Sequence, residues 1–264
     1  PEVYAAAHCF LPAASFIVAR LTGAFVIDHL EACFYGPLYD PQLGGWAPDL
    51  CEGIVDIGRL PGVRWACEVA GKVSEQAAAA TGLAAGTPVT VGTSDVATEA
   101  LSIGVTRPGE TMLMYGSTAW ITMIAEKPLH HKDLWSSPFL FPGTYCLHGG
   151  TATSGSLTRW MRDQVGPDLV AQEAGGGENA YAALTALARS VAPGAEGLVI
   201  LPYFSGERSP INDTDAKGVI FGLQMHHHRG HLYRATLEGI GYSINHILLA
   251  MREAGAAPQS MAAV

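Results

Sequence analysis

The chain has 264 residues, 48% apolar and 15% charged, enough to bury a large core in one or two domains and too apolar for a disordered segment. Its formal charge of −9 argues against nucleic acid or an anionic membrane surface as a partner. An acidic protein can still hold an anionic nucleotide, but only with Mg²⁺ and local backbone N–H donors. No signal peptide stands out, nor any apolar run of about 18 residues. The scattered cysteines Cys9, Cys33, Cys51, Cys67 and Cys146 lack CxxC spacing, so buried thiols in a reducing cytoplasm are expected. Pro1 opens the sequence without a Met and Val264 follows an apolar, small-residue tail, so both ends read as cut.

Taken in order, Phe10–Leu21 has helical spacing of apolar residues and Gly23 supplies a stop. Leu38–Trp46, with Pro41 and Gly44-Gly45, reads as a loop. Ser74 caps an Ala-rich helix through Thr81, ended by Gly82. Gly86-Thr87-Pro88 then leads into the β-branched run Val89-Thr90-Val91, and Gly92-Thr93-Ser94 lifts the chain out to a lone carboxylate, Asp95. A helix over Val96–Ile103 follows, closed by Gly104. The domain seam is expected near Val105–Pro108, with no internal repeat or low-complexity linker on either side.

Thr111–Tyr115 and Trp120–Ile124 read as strands joined by Gly116-Ser117-Thr118. A carboxylate at a strand's C-terminal end, facing a small-residue hairpin, suits an acid/base beside an anion cradle. The plainer reading is a helix-capping Asp beside an ordinary hairpin. Next, His148-Gly149-Gly150-Thr151-Ala152-Thr153-Ser154-Gly155-Ser156 opens a helix over Leu157–Gln164. First-turn N–H groups lack intrahelical partners, so this station is a second anion candidate, against the alternative of a capped surface helix. His148-Gly149-Gly150 resembles an esterase oxyanion motif, but no serine sits in a G-x-S-x-G elbow, which discounts a hydrolase.

After the strand Leu198–Leu201 comes the loop Pro202–Pro210, then Lys217–Leu223 and a long helix from about His231 to Glu253. That helix is expected to bury Leu237, Ile240, Ile244, Ile247, Leu248 and Met251 along one stripe. His226-His227-His228 and His231 invite a metal reading. Three adjacent histidines cannot all face one ion from a regular element, and no carboxylate or cysteine sits at ligand spacing. They are therefore expected to be structural or solvated, and no metal ligand is assigned.

Gly218-x-Ile220-x-Gly222-Leu223, followed by His231-Leu232, Ala235-Thr236-Leu237 and Glu238, resembles the C-terminal signature of the FGGY carbohydrate kinases. Pro202-Tyr203 with Ser205-Gly206-Glu207-Arg208-x-Pro210 is similar to that family too. So are the Gly155-Ser156-Leu157-x-x-Trp160-x-x-Asp163 helix, Arg20-Leu21-Thr22-Gly23 and the Gly92–Asp95 turn. The resemblance runs in family order over essentially the whole chain.

It implies an α/β fold of the actin/hexokinase type with ribonuclease-H-like lobes. Residues 1–105 would be the C-terminal part of the first, sugar-binding lobe, and residues 106–264 most of the second, nucleotide-binding lobe. On the same resemblance Asp95 matches the catalytic base and touches the sugar. Gly116, Ser117 and Thr118 match the hairpin on the β- and γ-phosphates, where many members have Gly-Thr-Ser. Gly155 matches the nucleotide-contacting glycine, and Arg159 falls where some members turn a Gln toward ATP. The ligands implied are ATP, Mg²⁺ and a sugar, with a pentulose such as xylulose favoured by the Asp95 turn and the Glu207 loop. A cytoplasmic location is implied, with a homodimer as a candidate assembly. Neither an Asp-x-Gly-Thr phosphate loop nor a Gly-Gly-x-x-x-Ser adenosine motif is present, so the chain reads as the middle of a longer kinase, inactive alone. The alternative of another class is a non-catalytic, nucleotide-gated sugar sensor or scaffold, which would not need a base at Asp95.

Overall fold

A computed structural model of the chain describes residues 2–264. Two compact units emerge, one formed by the described residues up to Glu110 with Ile124–Leu129 and Ser136–Leu147, the other by Thr111–Met123, His130–Trp135 and His148–Val264. After Glu110 the units trade segments instead of meeting at one chain position.

In the first unit the leading helix runs Ala13–Thr22, starting later than the apolar spacing suggests. Pro12 explains the delay: it disfavours helical geometry at Leu11 and itself sits extended at the helix boundary. Gly23 ends the helix in the left-handed region at φ 80°, its N–H donating to the Ala19 carbonyl. Val26–Asp28 pairs in parallel with Gly62–Arg64. The expected loop at Leu38–Trp46 instead holds a small hairpin, Tyr39–Asp40 against Gly45–Trp46. The Asp40 carboxylate makes that turn by accepting the Gln42 N–H at 2.7 Å, a local bond that apolar periodicity does not register. Ser74 caps Glu75–Thr81 through the Ala77 N–H, and Gly82 closes it.

A five-stranded sheet has the order Ser260–Ala263, Glu110–Tyr115, Ala119–Ala125, Tyr145–Thr151, Trp135–Pro138. Its central hairpin pairs Thr111 with Met123 through to Tyr115 with Ala119. In the second unit the long helix covers Arg229–Glu253 and packs on Ala180–Arg189 and Val199–Leu201. Gly239 permits the second contact, since a Cβ there would lie 2.3 Å from the Ile200 carbonyl oxygen. Ile240, Ile244, Ile247 and Met251 are buried as the stripe requires, but Leu248 is half-buried and Leu237 is 41% exposed. The helix begins two residues before His231 because His228 caps it, accepting the Gly230 N–H, while His231 accepts the His228 N–H.

Cys51 and Cys146 are buried thiols, Cys9 and Cys33 half-buried; Cys67, against expectation, is exposed. No helix among the described residues is long and apolar enough to cross a membrane.

Candidate active site

Asp95 is the first residue of the helix Asp95–Ser102 in the first unit, with its side chain exposed. One carboxylate oxygen accepts the Val96 N–H at 2.8 Å, leaving the other open. Ser94 occupies the cap position without a side-chain cap bond, and the Asp95 carboxylate holds the next N–H with one oxygen while the other makes no hydrogen bond among the described residues. The turn before it is fastened by Thr93, whose hydroxyl donates to Asp28 at 2.8 Å. Asp28 is 1% exposed and also accepts the N–H groups of Leu30 and Glu31, so one buried carboxylate starts the helix His29–Cys33 and anchors the Asp95 turn. Burial pushes the Asp28 carboxyl up, with the Thr93 and backbone bonds pulling the other way.

Glu31 completes an acidic group that sequence reasoning did not single out. Burial, then the neighbouring Asp28 and Asp95 charges, push its carboxyl up to about 7. Ser94 Oγ and Glu99 Oε2, flanking Asp95 on its own segment, are shielded from solvent and meet no partner among the described residues. Unpaired buried polar atoms are costly, so each of these two leaves an unmet demand for a hydrogen bond close to Asp95 in sequence. A cavity of about 220 Å³ opens beside the turn, lined by Gly92, Thr93, Thr98, Cys67 and Phe141.

The second unit gathers Gly116, Ser117 and Gly155. The N–H groups of Ser154 and Ser156 donate to the Ser117 carbonyl, and that of Gly155 to Gly116, at 2.9–3.1 Å. The Ser156 hydroxyl adds a bond to the same Ser117 oxygen. The expected anion site on this helix's first turn is thus corrected: those donors are already spent on the hairpin. Gly155 is required because a Cβ would sit 2.6 Å from the Gly116 carbonyl oxygen. Gly149 and Gly150 likewise lie inside the strand Tyr145–Thr151, where a Cβ would strike Ile247 and Trp120. They serve packing, not an oxyanion.

The donors that remain belong to the hairpin tip. Gly116 N–H closes the turn on the Thr118 carbonyl, whereas the Ser117 and Thr118 N–H groups donate to no acceptor among the described residues. A cavity of about 460 Å³ adjoins this tip, lined by Tyr115, Gly116, Ser154, Gly155, Thr158, Leu237 and Ile240. Leu237 leaves the core stripe because it faces this space. Thr158 and Leu237 were not singled out as site residues, although Thr158 stands one helical turn beyond Gly155 on the same face. Arg159 is exposed and does not line the cavity.

Behind the hairpin the Glu207 carboxylate, 4% exposed, accepts the Thr151 hydroxyl and the Ala152 and Arg208 N–H groups. The Thr153 hydroxyl donates to the Pro202 carbonyl. The Pro202–Pro210 loop therefore holds the segment that carries Ser154 and Gly155 in register.

Two family models match: the N-terminal domain of the FGGY family of carbohydrate kinases over residues 1–102, and its C-terminal domain over residues 111–264. The chain is 27% identical over 262 residues to a gluconokinase of Bacillus subtilis, covering 96% of this chain and 49% of that protein. It is 29% identical to the xylulose kinase of Escherichia coli, covering 99% and 52%. The crystal structure of xylulose kinase from Rhodospirillum rubrum superposes with a TM-score of 0.90 at 35% identity, over 100% of this chain and 52% of that one. The chain thus spans about half the length of the relatives it matches. Its fold is the actin/hexokinase-like ATPase fold. The chain belongs to the FGGY family of carbohydrate kinases.

Proposed function

We propose that this chain forms part of an ATP-dependent sugar kinase, carrying the acceptor's base in its first unit and a phosphate-binding hairpin in its second. The observation that supports this most is the pair of unspent Ser117 and Thr118 N–H donors on a hairpin whose Tyr115 and Gly116 line a cavity together with Leu237 and Ile240. Such a space suits a ligand anionic at one end and apolar at the other, as a nucleotide is. Gly116, Ser117 and Thr118 then hold the β- and γ-phosphates, while Gly155 shapes the cavity wall and fixes the hairpin. Arg159, exposed and outside the cavity lining, is assigned no contact with ATP in this reading. Mg²⁺ arrives with the nucleotide as part of the substrate.

Phosphoryl transfer asks the protein for positioning and charge stabilisation more than for covalent chemistry. In this reading the open oxygen of Asp95 accepts the proton of a sugar hydroxyl as its bond to phosphorus forms. Backbone donors at the hairpin tip offset the phosphate charge without adding a cation that would have to be displaced. Ser94 and Glu99 supply hydrogen bonds that orient the sugar. The acceptor proposed is a pentulose, xylulose foremost. The 35% identity to the Rhodospirillum rubrum xylulose kinase favours it, although gluconokinases, ribulokinases and a glycerol kinase also match. Sugar and nucleotide are the proposed partners, and the cytoplasm the proposed location.

The test is coupled ADP release by the full-length protein with xylulose, ribulose, gluconate and glycerol. Xylulose is expected to give the highest kcat/KM. Preference for another acceptor refutes the pentulose assignment, and ligand binding without turnover on any acceptor refutes the kinase reading in favour of a sensor.

A further inference from the structure

Sequence spacing leaves the histidines before the long helix without a carboxylate neighbour; the fold supplies one. Glu196 sits in the turn Ala195–Gly197 with a left-handed backbone, φ 53° and ψ 37°, an uncommon state for a residue with a side chain. Its Oε2 lies 3.1 Å from His226 Nε2 and 3.7 Å from His231 Nε2. One ligand atom from each of Glu196, His226 and His227 falls within 4.8 Å of the others. Two donors each about 2.0–2.1 Å from a tetrahedral ion stand about 3.3 Å apart, so the Glu196–His226 pair is already near ligating separation.

The other rings divide by their hydrogen bonds. His228 and His231 accept backbone N–H groups at Nδ1 to cap the long helix, which keeps the proton on Nε2 and removes both as ligands. His227 accepts the Gln224 N–H at 3.0 Å, but that bond is exposed, and its Nε2 is shielded and meets no partner. Moving the ring proton from Nε2 to Nδ1 frees a lone pair in the cluster, gives up that one bond and releases no net proton. We propose that Glu196, His226 and His227 form a site for a divalent transition cation, Zn²⁺ foremost, with water completing the tetrahedron. Two imidazoles and a carboxylate suit Zn²⁺, whereas Mg²⁺ prefers six oxygens, so this site is separate from the metal that accompanies a nucleotide. The ion ties the turn Ala195–Gly197 to the segment that starts the long helix.

The experiment uses chelator-stripped protein in a Cys67→Ser background, which removes the exposed thiol, with zinc titrated calorimetrically at about pH 7.5. Wild-type ligands are expected to bind one equivalent and to raise Tm. Glu196→Gln, which keeps an acceptor for His226, and His226→Ala should each weaken binding at least about tenfold and abolish the Tm rise. His246→Ala, an exposed histidine further along the same helix, should bind as wild type, and Mg²⁺ should give no heat at this site. Unchanged zinc affinity in Glu196→Gln would mean that the tri-histidine run binds metal without the fold, and overturns the proposal. Failure of the unsubstituted ligand set to bind below about millimolar zinc overturns it equally.

Discussion

The base role proposed for Asp95 uses the oxygen that the Val96 N–H leaves open, which makes it testable without unfolding the turn. In Asp95→Asn the remaining carbonyl oxygen can still accept the Val96 N–H, so the helix start survives while the base is lost. In the full-length protein, kcat should fall by about 10²–10⁴-fold, with sugar and ATP affinity changing far less. Near-normal turnover in steady-state assays would reduce Asp95 to a helix residue. Glu31 offers a separate readout through pH. Its carboxyl ordinarily titrates near 4.5, and in the fold near about 7, so between those values the folded state carries the extra proton. Stability contributed by this group is therefore full below about 4.5, falls as pH rises to about 7, and is level above. Glu31→Gln should match the wild-type Tm at about pH 4.5 and exceed it at about pH 8; thermal unfolding at both pH values checks this, and an equal gap at both contradicts it. The helix start at Asp95 was legible in the sequence because a lone carboxylate followed a small-residue turn. The raised proton affinity of Glu31 was not, because it depends first on burial and then on the Asp28 and Asp95 charges near it, which only the fold sets.

Local elements were read well wherever one residue sets the geometry. Gly23 and Gly82 end helices in the left-handed region, and Ser74 caps one, as spacing alone implied. What the sequence could not give was the destination of the N–H groups at Ser154, Gly155 and Ser156, because their acceptors lie on a hairpin far away in the chain. This separates two glycines that looked alike. A Cβ on Gly116 meets only the Thr118 carbonyl oxygen at 3.6 Å, while one on Gly155 strikes the Gly116 oxygen. Gly155→Ala should therefore cost about 1–3 kcal/mol of stability and weaken ATP together. Gly116→Val should keep the wild-type Tm yet weaken ATP binding, since its side chain projects at the hairpin tip. Thermal unfolding beside nucleotide calorimetry distinguishes them. Equal loss of Tm in both variants would make the hairpin a folding element only.

Across the whole molecule, family order was legible because the motifs recur in sequence, from Arg20–Gly23 to the Gly218–Glu238 signature. The compact units were less so: Ile124–Leu129 and Ser136–Leu147 join the first unit through contacts that no local pattern announces. Net charge acts at this scale as well. At −9 the protein repels free ATP, and raising salt from about 10 to about 150 mM shrinks the screening length from about 30 to about 8 Å. Without Mg²⁺, ATP affinity should hold or rise with salt, the reverse of a nucleic-acid-binding protein. A steep fall in a salt titration would reveal a strong cationic clamp and contradict a cradle made of backbone donors. The Gly116–Thr118 hairpin also shares its carbonyls with the start of Gly155–Val165. Those amides can exchange with deuterated water only when hairpin and helix part, so the two open as one cooperative patch. A ligand seated on the hairpin tip would slow exchange at Ser154, Gly155 and Ser156 without touching their N–H groups, turning the first helical turn into a reporter of what the hairpin holds.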